Sequence, residues 1–148
     1  MTEPRTIDPD ALTMGAVRDG ALRGRPVTVL GFARSGIALA RFLADAGARV
    51  TVYDGRLKDE LTGAIEALEG RDVALALGPD IDPAATWAEA ALVTTSPSIN
   101  PDYPTTEPRL REALRTLVAA PRRAIPRRRP SCPSPTCSCG SVRRRRSA

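Results

Sequence analysis

Residues 26–56, PVTVLGFARSGIALARFLADAGARVTVYDGR, leave this chain few folds to choose from. Val27, Val29 and Leu30 form a short apolar run with β character. Gly31 and Gly36 bracket a turn. Ile37, Leu39, Ala40, Phe42 and Leu43 then repeat at helical spacing and predict an apolar helix face. Val50, Val52 and Tyr53 make a second β run that stops at Asp54. Strand, glycine turn, amphipathic helix and strand together read as a parallel βαβ unit. Such a unit aims backbone N–H groups at a helix N-terminus, where a phosphate or diphosphate is stabilised. The expected ligand is therefore of nucleotide type, held near residues 31–36 with Asp54 toward its far end.

The glycines narrow the ligand further. A dinucleotide fingerprint reads G-x-G-x-x-G, and Ala33 stands where its middle glycine would be. A methyl group there argues against an ordinary NAD or FAD site. The spacing from Gly31 to Gly36 also imitates the start of a P-loop, but Ile37 takes the place of the P-loop lysine. ATP cradling at this turn is thereby disfavoured. A tight strand-to-helix turn with no ligand is the bland alternative.

The rest of the chain continues the alternation. A short helix is expected over 10–21, the first strand over 26–31, a helix over 35–47 ended by Gly47, and the second strand over 49–53. Leu57, Leu61, Ala64, Ile65 and Leu68 predict a helix over 57–69 that Gly70 stops. Val73, Leu75 and Leu77 alternate as a third strand. Asp82 and Pro83 open another helix, with proline suited to the first turn. Residues 91–95, ALVTT, read as a fourth buried strand, and 106–120 as a last helix with Leu110, Leu114, Leu117 and Val118 on one face. The fold class is thus α/β, a Rossmann-like, doubly wound parallel sheet of about four strands. Ligands on such sheets sit beyond the C-terminal strand ends. Three loops meet there: 31–36, 54–56 and 96–103, the last reading SPSINPDY. Ordinary turn chemistry would also account for that loop's Ser, Asn and Pro.

Charge separates the chain into unequal parts. The whole sequence of 148 residues carries a formal charge of +5. Of its 22 Lys and Arg, nine arginines lie in residues 121–148, which hold no acid. That leaves 13 basic against 17 acidic residues in 1–120, a net of −4. The basic balance therefore belongs to the end of the chain, and reading the whole as a nucleic-acid binder would be an error of averaging. Three segments follow: a lead-in over 1–25, a Rossmann-like ligand-binding domain over 26–120, and an Arg/Pro/Cys-rich tail over 121–148. The tail has no apolar periodicity and is expected to be disordered. Its Cys132, Cys137 and Cys139 stand as C-x4-C-x-C, the chain has no histidine, and a fourth zinc ligand is missing. No metal site and no cofactor of the chain's own are expected. No run approaches the ~20 apolar residues of a membrane span. The N-terminus lacks an apolar secretory core, which predicts a cytoplasmic location. Nothing points to an oligomer, and a monomer is the default.

Residues 26–56 taken with TSPSINPDYPTTEP, residues 95–108, resemble the N-terminal domain of the Mur ligases, nearest to their D-glutamate-adding branch. The family pattern is a strand, G-x-G-x-[ST]-G, a helix, a second strand ending in an acid, and later a T/A-S-P-G-[IV] loop. The resemblance covers roughly residues 24–120. It implies that this region binds the UDP moiety of UDP-N-acetylmuramoyl-L-alanine, a precursor of peptidoglycan. It implies Arg34, Ser35 and Gly36 at the diphosphate, beyond the turn at Gly31. It implies Asp54, Gly55 and Arg56 at the uracil and ribose end, with Ser96, Pro97, Ser98 and Asn100 closing over the diphosphate. Two positions depart from the pattern: Ala33, and Ser98 in place of the loop glycine. A Ser98 hydroxyl can still donate to a phosphate.

The resemblance also implies ATP and Mg²⁺, which in the intact family activate the substrate carboxylate as an acyl phosphate on a separate central domain. The sequence holds neither that domain's P-loop nor its magnesium ligands, so the chain alone is expected not to catalyse ligation. The genetic code permits a frame change near residues 120–123. From Pro135 onward, the third base of each codon joined to the first two of the next can spell DLFLRLCPAPTVG, a segment of the kind that precedes the P-loop in Mur ligases. On that reading the sheet lacks its next strand beside the fourth. A genuine basic arm is the alternative. Two other functions stay open at this point: a small NAD(P)-binding Rossmann domain, which Asp54 favours, and nucleic-acid binding through the arginine tail, which its lack of aromatics disfavours.

Overall fold

A computed structural model describes residues 7–104 and 106–119. The tail, its three cysteines and the question of a shifted frame lie outside the described residues. Four parallel strands form one sheet in the order β3-β2-β1-β4. They are β1 (Pro26–Leu30), β2 (Arg49–Asp54), β3 (Val73–Leu77) and β4 (Leu92–Thr95). In register, Val29 stands opposite Val52 on one side and Thr94 on the other. Among the described residues β4 pairs only with β1, so its outer edge is open.

Period-two alternation divides the strands between two faces. Val27, Val29, Val50 and Val52 point to one face and pack with Ala40, Leu43, Leu61 and Leu68. That face is covered by α2 (Arg34–Asp45) and α3 (Thr62–Glu66). Leu30 and Tyr53 point to the other face and meet Trp87, Leu110 and Leu114 from α4 (Pro83–Trp87) and α5 (Pro108–Ala119). The sheet is therefore wound on both sides. Each fully buried Val or Leu contributes about 1.5–3 kcal/mol, and β1 has four buried residues in a row from Val27 to Leu30. The lead-in joins this core: Leu22 is wholly buried and Val17 lies beside it, on α1 (Met14–Arg18).

Four sequence expectations need correction. The helix expected over 10–21 is a 3-10 turn at Pro9–Ala11 followed by α1, because the Thr13 hydroxyl accepts from Ala16 N at 3.1 Å and starts a new helix. Gly20, at φ +90, bounds it after a single turn. The helix expected over 57–69 is likewise split into a 3-10 turn at Lys58–Leu61 and the short α3. Leu57 lies outside on the surface, while Leu61 and Leu68 reach the core. Phe42 is exposed rather than on the inner face of α2. At 3.6 residues per turn it sits about 200° round from the buried Ala40. The fourth is the end of α5, where Leu117 and Val118 are both exposed, Val118 at 74%. The five residues of α4 are too few to flank all three turns of α5.

Candidate functional site

From β1 the chain winds outward to β2 and β3, then returns past β1 to β4. The reversal makes the C-terminal ends of β1 and β4 the topological switch point, where open α/β sheets leave a crevice. Gly31 leaves β1 there at φ +89, its N–H donating to Tyr53 O at 2.8 Å. Gly36 packs against that turn so closely that a Cβ would lie 1.9 Å from Gly31 O. Glycine at both positions thus brings the start of α2 against the end of β1. Arg34 and Ser35 are the first residues of α2 and both are exposed. With Gly36 they present first-turn N–H groups that have no partner within the helix, at the positive end of its dipole. Ala33 precedes α2 in extended backbone, φ −91 and ψ −171, so the alanine departure introduces no strain.

Asp54 ends β2 and is buried. Its Oδ2 accepts from Phe32 N at 2.9 Å and from Arg56 Nη2 at 2.9 Å. Its Oδ1 accepts from Arg56 N and Arg56 Nε, both at 3.0 Å. Burial alone would raise the Asp54 carboxyl, but the hydrogen bonds from the Arg56 side chain, Arg56 N–H and Phe32 N–H outweigh it and hold it below the usual range. Asp54 therefore ties the turn after β1 to the end of β2. Arg56 extends from that tie, its side chain about half exposed. Gly55 lies between them.

The loop after β4 folds over Gly31. A Cβ on Gly31 would meet Ile99 Cδ1 at 2.3 Å. Ser96 is buried, its N–H reaching Leu30 O at 3.4 Å and its hydroxyl 3.1 Å from the Ser98 hydroxyl. Ser98 itself is exposed. Asn100 turns its side-chain oxygen inward to accept from Asp102 N at 2.9 Å, so the carboxamide serves the loop's own turn. Thr106 pins this loop: its hydroxyl donates to Asn100 O at 2.8 Å and accepts from Asn100 N at 3.2 Å.

Of the sequence-predicted residues, Gly31, Asp54, Gly55 and Ser98 line one cleft, while Arg34, Ser35, Gly36, Arg56, Ser96 and Asn100 lie outside its lining. Arg34, Ser35 and Gly36 form the helix start, with Ser96 and Ser98 across Gly31. Asp54, Gly55 and Arg56 lie at the adjoining strand end. The cleft has a volume of about 280 Å³ and is also lined by Tyr53, Ile99, Glu107 and Leu110, among others. Sequence reasoning passed over Tyr53, Ile99, Thr106 and Glu107 as strand, loop or helix residues. The available signal was a polar pair, Thr106 and Glu107, directly before a proline-started helix. The Tyr53 hydroxyl donates to Glu107 Oε2 at 3.2 Å. Burial, then the neighbouring Glu107, pushes the Tyr53 phenol up to about 12, so it remains a donor across the neutral range. A larger groove of about 800 Å³ opens at the opposite, N-terminal strand edge, beside Thr28, Thr51 and Ala74. It has none of the strand-end loops.

No helix among the described residues is long and apolar enough to cross a membrane. Nor do they contain a group of three His, Cys, Asp or Glu side chains placed to hold a metal ion. With Ile37 in place of a P-loop lysine, the described residues of the Gly31–Gly36 turn do not form the loop that cradles ATP phosphates. No family model matches the chain. Curated relatives do. It is 40% identical over 83 residues to a UDP-N-acetylmuramoylalanine–D-glutamate ligase of Trichlorobacter lovleyi, covering 56% of this chain and 18% of that protein. It is 41% identical over 83 residues to the ligase of that name from Geobacter metallireducens, again 56% and 18%. With the one from Anaeromyxobacter dehalogenans it shares 41% identity over 97 residues, 66% of this chain and 20% of that protein. The aligned lengths are about a fifth of these relatives, and over them the chain is a relative, in sequence, of the D-glutamate-adding Mur ligases.

Proposed function

We propose that this chain binds the UDP moiety of UDP-N-acetylmuramoyl-L-alanine, as part of peptidoglycan precursor synthesis in the cytoplasm. The observation that carries the reading is the close seating of Gly36 on Gly31 O. It brings the first turn of α2, with the N–H groups of Arg34, Ser35 and Gly36, against Gly31, the residue that Ser96 and Ile99 approach from the loop after β4. A diphosphate there meets the positive helix end, the Arg34 guanidinium and serine donors together. The nucleoside then runs toward Gly55 and Arg56. Amide ligation is not assigned to these residues, since the ATP and Mg²⁺ it requires have no holders among those described.

The nicotinamide alternative asks Asp54 to accept from a ribose hydroxyl. Both of its oxygens are already engaged by Phe32 N and Arg56, which counts against that reading. Isothermal titration of the full chain with UDP, UDP-N-acetylmuramoyl-L-alanine, NADH and a short oligonucleotide tests the choice. The two UDP compounds are expected to bind and the other two not. Binding of NADH without UDP would overturn the proposal.

A further inference from the structure

Phe42 is one of the large apolar side chains that the fold leaves on the surface, 41% exposed. It borders a depression of about 270 Å³ between α1 and the last turns of α2, lined also by Val17, Arg18, Arg23, Asp45 and Ala46. The 12-residue α2 is about 18 Å long, with the strand-end crevice at its first turn and this depression at its other end. Packing holds Arg23 in place there. Its stem lies against Gly47 and its guanidinium over Gly20: a Cβ on these glycines would be 3.4 Å from Arg23 Cγ and 3.7 Å from Arg23 Cζ. Among the described residues neither Arg18 nor Arg23 is in an ion pair. The acid in the lining, Asp45, is already engaged, its Oδ1 and Oδ2 accepting from Arg71 Nε and Nη2 at 2.7 and 3.0 Å. The depression therefore sets apolar surface beside two uncompensated positive charges.

We propose that this depression is a docking surface for a partner protein, taking a peptide segment in which a carboxylate stands next to a large apolar side chain. The inference does not rest on the reading of the crevice as a UDP site. The volume lies below the roughly 300–1,000 Å³ of small-molecule pockets and suits a single inserted side chain. That side chain meets Phe42, Val17 and Ala46. The neighbouring carboxylate accepts from Arg23, whose guanidinium is donor-only and matches a carboxylate with two parallel N–H groups. Gly20 and Gly47 already fix the Arg23 stem, so little rotamer freedom is lost when the carboxylate arrives. Arg18 adds positive charge from the α1 side. An anionic membrane surface is served instead by apolar side chains protruding from a long amphipathic face, whereas Phe42 borders a hollow beside a helix of five residues.

The test is an amide NMR titration of the full chain with the capped dipeptide N-acetyl-Asp-Leu-amide. Shifts are expected at the amides of Gly20, Ala46 and Gly47 and not at those of Gly31 or Ser98. N-acetyl-Asn-Leu-amide should bind about tenfold more weakly, the scale of a hydrogen bond between charged groups. N-acetyl-Asp-Ala-amide should lose at least about fivefold through its missing apolar contact. R23Q keeps the stem and removes the charge. It should weaken the Asp-Leu dipeptide about tenfold and leave the Asn-Leu dipeptide as in the wild type. The comparison of dipeptides on the wild type is informative even if R23Q fails to fold. Equal binding of the Asp-Leu and Asn-Leu dipeptides, or undiminished binding to R23Q, overturns the proposal. So does the absence of shifts at Gly20, Ala46 and Gly47 with the Asp-Leu dipeptide; if phosphatidylglycerol vesicles perturb those amides instead, the face belongs to a membrane surface.

Discussion

Phe32 and Asp54 lie 22 residues apart and meet through one bond, the Phe32 N–H donating to Asp54 Oδ2 at 2.9 Å. Phe32 is buried beyond the reach of water, so without that carboxylate its N–H would be an unsatisfied donor. The same carboxylate takes the fork of Arg56. One side chain thus closes the glycine turn against the second strand.

Asp54→Ala should therefore destabilise the fold by about 2 kcal/mol, the scale of losing a charged hydrogen bond and orphaning a buried donor. The half-exposed Arg56 adds little to this through water. The pH dependence has a definite sign. Asp54 is held below its ordinary value, so its contribution is fully present above the unfolded pKa, about 3.9. It is lost as pH falls through the lowered folded value. Asp54→Asn should flatten this acid limb. Urea midpoints between pH 7 and pH 2 check it, and parallel limbs in wild type and Asn variant would refute the assignment.

Two glycine substitutions should move stability in opposite directions. Gly36→Ala drives a methyl to 1.9 Å from Gly31 O, a backbone atom that cannot swing away. A loss above about 3 kcal/mol is expected, at the upper end for overpacking. Gly63 lies within α3, and a Cβ there meets nothing within 4 Å. Gly63→Ala should stabilise by about 0.4–1 kcal/mol through the unfolded chain's lost freedom. Chemical denaturation of the pair reads both signs, and similar midpoints would contradict the close seating at Gly36.

Thr106→Val keeps shape and removes both hydrogen bonds to the Asn100 backbone. Thr106 is buried, so about 1–3 kcal/mol of loss is expected. The loop over Gly31 should loosen more than the strands beneath it. Hydrogen exchange at Ile99 N–H, which donates to Ser96 O at 2.9 Å, should accelerate well beyond that of the β1 amides. Uniform acceleration would mean that Thr106 does not hold this loop in particular.

Sequence reasoning served best where a periodic pattern coincided with a glycine. Gly31 and Gly36 located the turn because their close approach admits no side chain, and the four strands are legible from short apolar runs or, at the third, from alternation. It served worst where tertiary geometry decides. The split at Leu61 and the exposure of Phe42 depend on the sheet beneath each helix. At the candidate site, the acid at the end of the second strand was easy to find, but its role was not. Whether Asp54 faces a ligand or Phe32 N is set by the path of a turn 22 residues away. Glu107 was overlooked because its partner, Tyr53, is 54 residues distant and carries no motif.

The second face of the sheet yields the last expectation. Thr28 is almost wholly buried in the middle of β1, and its hydroxyl donates to Thr86 O at 2.7 Å. That bond crosses from the sheet to α4, a helix of only five residues that could not persist alone. Trp87, next along, is the largest side chain α4 contributes to the core. Thr28→Val preserves volume but leaves Thr86 O without its sheet donor. A loss of about 1–2 kcal/mol is expected. It should be local: Trp87 fluorescence should shift toward the red and broaden at denaturant concentrations where α2 remains protected from exchange. If Trp87 and α2 respond together, the bond is an ordinary part of one cooperative core. If Trp87 responds first, Thr28 is what fastens α4 to the sheet.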